Sequence, residues 1–370
     1  MFLSSLGLKN FRKHTDTYLE FAENLNYIVG GNGVGKTTIL EAIYYLCTTK
    51  SCITTSDTEV VKIGEAGFNI KGEFVSRTSD DVQMNYSLEE NRKSFLLSSK
   101  QIHKFSDVIG KFPVVLLSPS DHSITQGYPA ERRKFIDSVI SQASKTYLNI
   151  LLEYNRVLKQ RSNLLYRMKE NGYIEEQELE AWNEKLVQTG TEIINHRKAF
   201  IEEFTIYIRD SYEKILADKE LPDINYYYLE GAKAEDIKER FLLLLNQRKE
   251  DELRRLQNLV GPHRDDFIFE INGMNLKSYG SQGQHKTFQT ILRFAEYFYL
   301  KDRAENNPLF LLDDVFGELD AQRAKSISNY LSNVGQAFIT LTDFGNFSFL
   351  KTGVKDKVIR LTTDSKVLYE

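Results

Sequence analysis

Hydrophobic and polar residues follow a strand-like pattern over the first third of this chain. They alternate one by one around Phe2–Leu6 and Tyr18–Phe21, which predicts two paired strands. The mostly apolar run Leu25–Val29 predicts a buried strand, and the helical spacing of residues 38–46 predicts a helix soon after it. Residues 60–117 return to the strand-like pattern. We therefore expect a β-rich lobe built around a strand-loop-helix unit.

The pattern becomes helical from about residue 130 to residue 220. Apolar residues between Tyr147 and Met168 keep a 4-3-4-3-4-3 spacing that only Arg161 interrupts. A second amphipathic run covers residues 179–208 and follows the turn signal Asn171-Gly172. Two long helices joined by a short turn predict an antiparallel hairpin packed along its seam. The same pattern also fits an ordinary layer of a helical bundle.

A strand pattern returns after residue 260. Residues 267–271 alternate and lead into Asn272-Gly273, which is a hairpin signal, so the chain is expected to rejoin the β-rich lobe. The predicted fold class is therefore α/β, with one nucleotide-binding domain formed by residues 1–120 and 260–370. A helical insertion domain, the hairpin arm, is predicted over residues 121–259.

Composition and charge exclude several classes of protein. The chain has no run of 18 apolar residues and no basic segment followed by an apolar one at its start, so we expect neither a membrane span nor a signal peptide. Its two cysteines, Cys47 and Cys52, have no neighbouring histidines, which disfavours a zinc site and favours a reduced cytoplasmic location. The formal net charge of −4 means that any DNA contact must come from a local basic patch.

The segment from residue 30 to residue 37 fits the phosphate-loop pattern G-x-x-x-x-G-K-[ST]. Its glycines allow backbone N–H groups to turn toward an anion at a helix N-terminus. Lys36 would reach the β- and γ-phosphates of ATP, and the Thr37 hydroxyl would ligate Mg²⁺. The nearby Arg12 lies in a basic turn, which is either simply solvated or folds Arg12 back onto the bound nucleotide. The predicted nucleotide-binding residues of the loop are Gly30, Gly31, Asn32, Gly33, Val34, Gly35, Lys36, Thr37 and Thr38.

An apolar run that ends in two carboxylates supplies the second half of the predicted site. Leu309–Leu312 predicts a buried parallel strand, which would deliver Asp313 and Asp314 beside the phosphate loop. Asp313 would hold Mg²⁺ directly or through water, and Asp314 would orient the attacking water. Lys36 and Asp314 are accordingly the predicted catalytic residues. Such a strand is common by itself, and the upstream loop is what gives it this interpretation.

The segment Ser281-Gln282-Gly283-Gln284 precedes a long predicted helix and resembles a second anion-binding helix start. A plain helix cap is the alternative interpretation. The order of motifs decides between them: the phosphate loop is followed by S-x-G-Q, by the strand with its Asp pair, and by residues 317–320, Gly-Glu-Leu-Asp. This is the order in ATP-binding-cassette (ABC) ATPases, in which the S-x-G-Q of one subunit closes over the γ-phosphate held by another.

Over its whole length the chain resembles the RecF family, in the SMC-like branch of ABC ATPases. The most family-specific segment is Gly261–Asp266, with the sequence Gly-Pro-His-Arg-Asp-Asp. The resemblance implies an ABC-type P-loop ATPase head with a β-rich lobe, split by a helical insertion. It also implies an ATP-dependent homodimer that uses ATP and Mg²⁺, in which Ser281, Gly283 and Gln284 of one copy bind the γ-phosphate on the other. Further shared motifs are Leu8–Arg12, Ser118–Asp121, Gly127–Asp137 and Leu312–Asp320.

The same resemblance implies a cytoplasmic protein of DNA repair, DNA replication and the SOS response to DNA damage. It would bind duplex and gapped DNA or single-strand/double-strand junctions and, with RecO and RecR, help to load RecA. Asp314 stands where most ABC ATPases carry Glu, and Thr342 stands where many carry a switch His, so we expect slow ATP hydrolysis. The Gln that commonly reaches the metal is not identifiable, and Ser118–Asp121 occupies its region.

Candidate phosphate contacts for DNA are Arg132, Arg133 and Lys134, together with Arg156, Lys159 and Arg161. The alternative interpretation, a solvated helix surface, is the usual one for such charged residues. Two other functions remain open at this point. One is a soluble transporter-type ABC ATPase subunit, and the other is an ATP-gated protein adaptor that does not bind DNA directly.

Overall fold

The computed structural model describes residues 1–173, 176–216, 220–231, 236–318, 321–343, 353–362 and 367–369. The chain forms two compact units. Unit 1 contains Met1–Asp121, Asp210–Asp218 and Thr290–Glu370. Unit 2 contains His122–Arg209 and Lys219–Gln289.

An antiparallel sheet forms the β-rich lobe of unit 1. Among the described residues its strands are β1 (Phe2–Phe11), β2 (His14–Glu20), β4 (Gly67–Val75), β5 (Ser79–Ser87), β6 (Arg92–Leu97) and β7 (Lys100–Ile102). Their order is β2-β1-β4-β5-β6-β7. The predicted pairing of the first two strands is confirmed, with Leu6 opposite Leu19. Alternate residues such as Leu3, Phe74 and Met84 are fully buried, because one face of the sheet covers the core and the other faces water.

A mostly parallel sheet forms the other layer of unit 1. Its described strands are β3 (Leu25–Val29), β8 (Val114–Leu117), β12 (Leu309–Leu312), β13 (Ala337–Leu341), β14 (Lys357–Leu361) and β15 (Val367–Tyr369). Their order is β15-β14-β3-β13-β12-β8, and only β15 runs antiparallel to its neighbour. β12 and β13 are buried at every position, as expected for strands covered on both faces.

The helix α1 (Lys36–Thr48) lies in the hydrophobic core that joins the two sheets of unit 1. Ile39 and Ile43 of this helix belong to the same buried cluster as Leu3 and Phe338. Unit 1 also contains α9 (Ala321–Leu331). This core places the first turn of α1 at the carboxyl end of β3.

Unit 2 is built mainly from helices. In the described part of the chain these are α2 (His122–Gln126), α3 (Pro129–Ala143), α4 (Lys145–Asn171), α5 (Glu176–Leu216), α6 (Ile237–Arg255), α7 (Leu276–Tyr279) and α8 (Gln282–Arg303). The last residues of α5 and the second half of α8 belong to unit 1.

The predicted antiparallel hairpin is formed by α4 and α5. Hydrogen bonds join Arg161 to Asn183 and Tyr147 to Arg197, so residue numbers rise along one helix as they fall along the other. The Ser144 hydroxyl caps the start of α4, and Gly172 ends the helix in the left-handed region at φ 73°.

The strand pattern after residue 260 belongs to unit 2 and does not return to the β-rich lobe. Strands β9 (Pro222–Tyr227), β10 (Asp266–Ile271) and β11 (Met274–Asn275) form a separate sheet in the order β11-β10-β9. Tyr226 stacks on Phe267 across this sheet, with ring centroids 4.7 Å apart. Unit 2 accordingly continues to Gln289, whereas the sequence placed residues 260–289 with the ATPase domain. Alternation in a sequence predicts a strand but does not identify the strand that pairs with it.

Candidate nucleotide-binding site

The phosphate loop connects β3 to α1 and has a backbone that requires glycine. Gly33 and Gly35 have φ values of 76° and 103°, which L-residues with side chains rarely adopt. At Gly30 an added Cβ atom would lie 2.7 Å from the Leu361 carbonyl oxygen. The loop therefore has the close turns that allow its N–H groups to converge on an anion at the start of α1.

Lys36 is the first residue of α1, and its ammonium group folds over the loop. Nζ donates hydrogen bonds to the carbonyl oxygens of Gly30 at 2.7 Å and Gly31 at 2.9 Å. Burial lowers the pKa of Lys36, whereas Asp314 and Asp313 act to raise it. These carboxylates therefore help to keep a partly buried cation charged at the place where phosphates would bind.

Three side chains from three neighbouring segments meet at the acidic end of β12. The Thr37 hydroxyl and the Thr340 hydroxyl each donate to Asp313 Oδ1, both at 2.9 Å. Burial raises the pKa of Asp313, and these two hydrogen bonds act to lower it. The structure thus brings together the two predicted metal-site residues, Thr37 and Asp313.

The oxygen atoms of this group suit Mg²⁺, which prefers hard oxygen ligands and usually binds through one or two carboxylates plus substrate phosphates and water. Among the described residues no cluster of three or more His, Cys, Asp or Glu side chains could hold a metal alone. Thr37 and Asp313 would therefore hold the ion together with the phosphates of a nucleotide.

Thr340 is a site residue that the sequence analysis did not identify. It is fully buried on β13, the strand between β3 and β12. Its oxygen also accepts a hydrogen bond from the backbone N–H of Asp314 at 2.8 Å. Asp314 is exposed and has a φ of 50°, a conformation that is uncommon for a residue with a side chain. Thr340 therefore positions both acidic residues at once, one through its carboxylate and the other through its backbone.

Arg12 is not simply solvated, which was one of its two predicted positions. Its Nε and Nη2 atoms donate to the two carboxylate oxygens of Glu41 at 3.0 and 2.8 Å, and Nη1 donates to the Glu59 carbonyl oxygen at 3.0 Å. Glu41 lies one turn after Thr37 on α1 and is almost completely buried. Arg12 therefore braces α1 in this structure, and a contact with nucleotide stays a prediction.

The two residues after Arg12 contact the phosphate loop and were also missed. Lys13 Nζ donates to the Gly33 carbonyl oxygen at 2.6 Å. The buried His14 ring lies against Gly35, with Nε2 3.3 Å from its carbonyl oxygen and Nδ1 3.0 Å from the Thr17 hydroxyl. Burial lowers the pKa of His14. The basic charge of this turn was visible in the sequence, but nothing in the spacing linked it to the loop.

The second predicted anion site lies in unit 2, at the start of α8. Ser281 Oγ accepts a hydrogen bond from the Gln284 backbone N–H at 3.2 Å, and Gln284 Oε1 accepts one from the Ser281 N–H at 2.9 Å. This reciprocal pair is a capping box. Ser281 is exposed, and Gly283 is partly exposed.

The expected metal-reaching Gln has no equivalent in Ser118–Asp121. Asp121 is buried there and accepts hydrogen bonds from Arg293 Nε and Nη2 at 2.9 and 2.8 Å. Thr342 is exposed just after β13. Leu319 and Asp320, from the predicted motif at 317–320, lie outside the described residues.

Burial divides the candidate DNA contacts into two groups. Arg132 donates to both carboxylate oxygens of Asp266 at 2.7 and 2.9 Å, and Arg161 pairs with Glu252 at 2.6 Å. Both arginines are at least 95% buried, so in this structure they are structural and not available to DNA. The run of basic letters misled because helical geometry points neighbouring residues to different sides. Arg133 is partly exposed and donates to the Asp265 carbonyl oxygen, whereas Lys134, Arg156 and Lys159 are exposed.

No described helix has a stretch that is both long and apolar enough to cross a bilayer.

Comparisons with known proteins agree with this architecture. The family model described as RecF/RecN/SMC N terminal domain matches residues 2–365. The DNA replication and repair protein RecF of Chloroherpeton thalassium is 40% identical over 364 residues, which cover 95% of this chain and 97% of that protein. The solved structure of the recombination mediator protein RecF-ATP in the RecFOR pathway is 31% identical, with a TM-score of 0.89, and the match covers 100% of this chain and 97% of that one.

A solved SmcHead, bound to the C-winged helix domain of ScpA, is similar in fold alone, with a TM-score of 0.60 at 13% identity over 100% of this chain and 98% of that one. The fold is that of an ABC-type ATPase head with a helical insertion. The chain therefore belongs to the RecF/RecN/SMC N-terminal domain family.

Proposed function

We propose that this chain is an ATP-dependent DNA-binding protein of recombinational repair and replication-fork maintenance. The observation that carries the ATP-binding part is the 2.9 Å hydrogen bond between Thr37 Oγ1 and Asp313 Oδ1, because it joins the phosphate loop to the acidic strand end. The RecF-ATP structure and the naming of the relatives as DNA replication and repair proteins support the same conclusion.

Within one copy, the loop N–H groups and Lys36 bind the phosphates of ATP, and Thr37 with Asp313 holds Mg²⁺. The metal ion neutralises charge on the β- and γ-phosphate oxygens when it is bound. Asp314 orients the attacking water and accepts its proton. Because its side chain is one methylene shorter than Glu, we expect ATP hydrolysis to be slow and to act as a switch.

A second copy of the chain completes the site. Ser281, Gly283 and Gln284 of that copy bind the γ-phosphate, so the homodimer closes only when ATP is present. When the γ-phosphate leaves, these charge-assisted hydrogen bonds are lost and the dimer opens. The closed dimer holds duplex or gapped DNA and, with RecO and RecR, assists RecA loading.

Light scattering on Ser281→Arg tests the shared site. We expect this variant to bind ATP normally in single copies and to form no ATP-dependent dimers, because the bulky cation blocks the helix start. Ser76→Arg, the same change at an exposed turn between β4 and β5, is the control and should dimerise like the wild type. Dimers of Ser281→Arg that equal those of the wild type would refute the shared site.

Fluorescence anisotropy with a labelled gapped duplex, with and without ATP and at two salt concentrations, tests the DNA-binding part. We expect binding that requires ATP, weakens steeply with salt and is lost in Ser281→Arg. If dimers form with ATP but bind no DNA at low salt, the chain is an ATP-gated protein adaptor.

A further inference from the structure

The two helices of the hairpin carry opposite charge on their exposed faces. Six glutamates of α5 within unit 2 are exposed, at 176, 178, 180, 184, 192 and 202, against two exposed cations, Lys185 and Arg209. The exposed cations of α4 are Lys145, Arg156, Lys159, Arg167 and Lys169, against the exposed Glu170. In a chain of net charge −4, α4 is therefore a local basic patch of the kind that DNA binding requires.

Most of these cations lie on one side of α4 and form a continuous stripe. Most successive members are three or four residues apart, and the two adjacent pairs, Asn155-Arg156 and Tyr166-Arg167, widen the same helical face. This α4 stripe consists of Lys145, Asn149, Leu152, Asn155, Arg156, Lys159, Asn163, Tyr166, Arg167 and Glu170, all of which are exposed. At 1.5 Å per residue it is roughly 40 Å long, enough to follow several nucleotides of a nucleic-acid strand.

The stripe has chemistry that fits nucleic acid better than an acidic protein. Tyr166 is 56% exposed between basic residues, where its ring can stack on a base. Three asparagine amides, at 149, 155 and 163, add uncharged hydrogen-bond donors and acceptors that suit phosphates and base edges. An acidic peptide would use the cations but would have no need of an exposed aromatic ring.

The ion pairs at the stripe are of the kind that a phosphate can replace. Arg156 Nη1 lies 3.6 Å from Glu153 Oε2, and Arg167 pairs with Glu178, with both side chains about half exposed. Exposed pairs of this kind contribute little to stability, because water already solvates both charges. The buried Arg161 lies on the opposite side of α4 and donates hydrogen bonds to Glu252, Asn258 and Asn183. Arg161 therefore holds the helix in place, and the stripe is not needed for that structural role.

We propose that the α4 stripe binds the single-stranded part of gapped DNA, with Arg156 and Lys159 contacting phosphates and Tyr166 stacking on an unpaired base. This inference rests on the proposed function, since it assigns a surface to the DNA that the closed dimer holds. The inference also predicts the path of the DNA. Because the acidic α5 repels phosphate, the single DNA strand follows α4.

The test measures anisotropy of full-length protein with ATP and Mg²⁺, on a gapped duplex and on a blunt duplex of equal length, over a range of salt concentrations. We expect the double variant R156A/K159A to weaken binding to the gapped duplex roughly tenfold at low salt. It should also reduce the slope of log affinity against log salt by about 1.4, which corresponds to two lost contacts to single-stranded phosphates.

Tyr166→Ala should weaken binding to the gapped duplex by roughly tenfold and leave the blunt duplex and the salt slope unchanged, because stacking requires an unpaired base. The control K185A/R209A removes two exposed cations from α5 of the same hairpin and should bind both DNAs like the wild type. All the substituted side chains are exposed, and circular dichroism verifies that each variant is folded.

The outcomes separate this inference from the proposed function. If the wild type binds gapped DNA and the α4 variants bind it equally well, the stripe is not a DNA surface, although the proposed function stands. Polyglutamate serves as a probe for an acidic protein partner. If the α4 variants lose binding to polyglutamate but bind DNA like the wild type, the stripe is a protein-docking surface and the inference is overturned. If the wild type forms ATP-dependent dimers but binds neither DNA, the inference and the proposed DNA-binding function both fail.

Discussion

Two helix N-termini in this molecule were predicted to bind anions, and the structure builds them very differently. At the start of α1, the phosphate loop is held by Lys13 and His14 on one side and leads, through Thr37, to the buried Asp313 on the other. At the start of α8, Ser281 and Gln284 cap each other, and the Gln284 amide donates to Glu220. The first is supported by several segments of unit 1, whereas the second is an exposed capping box.

The difference shows how the two sites can divide one task. A helix start that is supported on all sides can bind and orient a ligand by itself, because its groups lose little freedom when the ligand arrives. An exposed capping box already uses its hydroxyl and amide groups, so a phosphate gains little there unless a second surface holds it. We infer that α1 binds nucleotide alone and that α8 responds only to nucleotide already bound by another copy.

The largest expected effect separates chemistry from closure. Asp314→Asn keeps the shape of the side chain but removes its ability to accept a proton, so ATP turnover should fall by about 10²- to 10⁴-fold. Nucleotide affinity should change little, and closed dimers should accumulate. Single-turnover phosphate release and light scattering measure the two effects. Asp343→Asn, at an exposed aspartate after β13, is the control. Normal turnover in Asp314→Asn would remove Asp314 from its proposed role.

The next effect tests whether α1 acts alone. Lys36→Ala removes the ammonium that lies over the loop, so the affinity of single copies for a fluorescent ATP analogue should fall by roughly 100-fold, as expected for a charge-assisted contact to phosphate. Lys13→Ala is the matched control, because it removes an exposed lysine that contacts the loop from its other side; we expect a loss of only a few-fold. Equal losses in the two variants would show that overall charge, and not the position of Lys36, determines affinity.

A smaller effect concerns the hydroxyl that holds the acidic pair. Thr340→Val preserves shape but removes the donor to Asp313 and the acceptor of the Asp314 N–H. Mg²⁺-dependent nucleotide affinity should fall by roughly tenfold, and stability should fall by about 1–3 kcal/mol because the buried Asp313 carboxylate loses a hydrogen-bond donor. Titration calorimetry with and without Mg²⁺ measures the affinity, and urea unfolding measures the stability. Thr340→Ser retains the hydroxyl and should recover the affinity; a serine variant as weak as the valine variant would contradict the positioning role.

Local patterns in the sequence predicted most of this arrangement, because they depend on contacts between near neighbours. The phosphate loop was predicted from the positions of its glycines. The helix hairpin was predicted from the apolar spacing between Tyr147 and Met168 and from the turn signal Asn171-Gly172. The apolar run before Asp313 predicted a strand in the correct sheet, since continuous apolar strands are buried on both faces.

Contacts between distant segments were the part that the sequence could not predict. Thr340 lies 27 residues from Asp313 in the chain, and no periodicity shows that β13 lies between β3 and β12. Arg132 looked like part of a basic patch until its partner Asp266, 134 residues away, came beside it. A basic side chain becomes structural when folding supplies a carboxylate partner, and spacing along the chain carries no information about that partner.

The smallest predicted effect concerns the support of the phosphate loop by His14. Burial lowers the pKa of His14 below that of an ordinary histidine, so the unfolded chain binds a proton more readily than the folded one once the pH falls below about 6.5. This histidine therefore stabilises the fold fully above that pH, and its contribution decreases as the pH falls toward its lowered pKa. Gln at position 14 retains an amide donor for the Gly35 carbonyl oxygen but does not titrate.

We therefore expect the unfolding temperature of His14→Gln to fall less than that of the wild type between pH 7.5 and pH 5.5. Differential scanning calorimetry at several pH values measures this difference. His263 is also buried, with its pKa lowered to about 4, and gives both proteins the same background pH dependence, which the comparison cancels. His103→Gln removes an exposed imidazole and serves as the control, with a pH profile expected to match the wild type. If His14→Gln instead matches the wild type at every pH, the ring at position 14 does not couple protonation to the support of the loop.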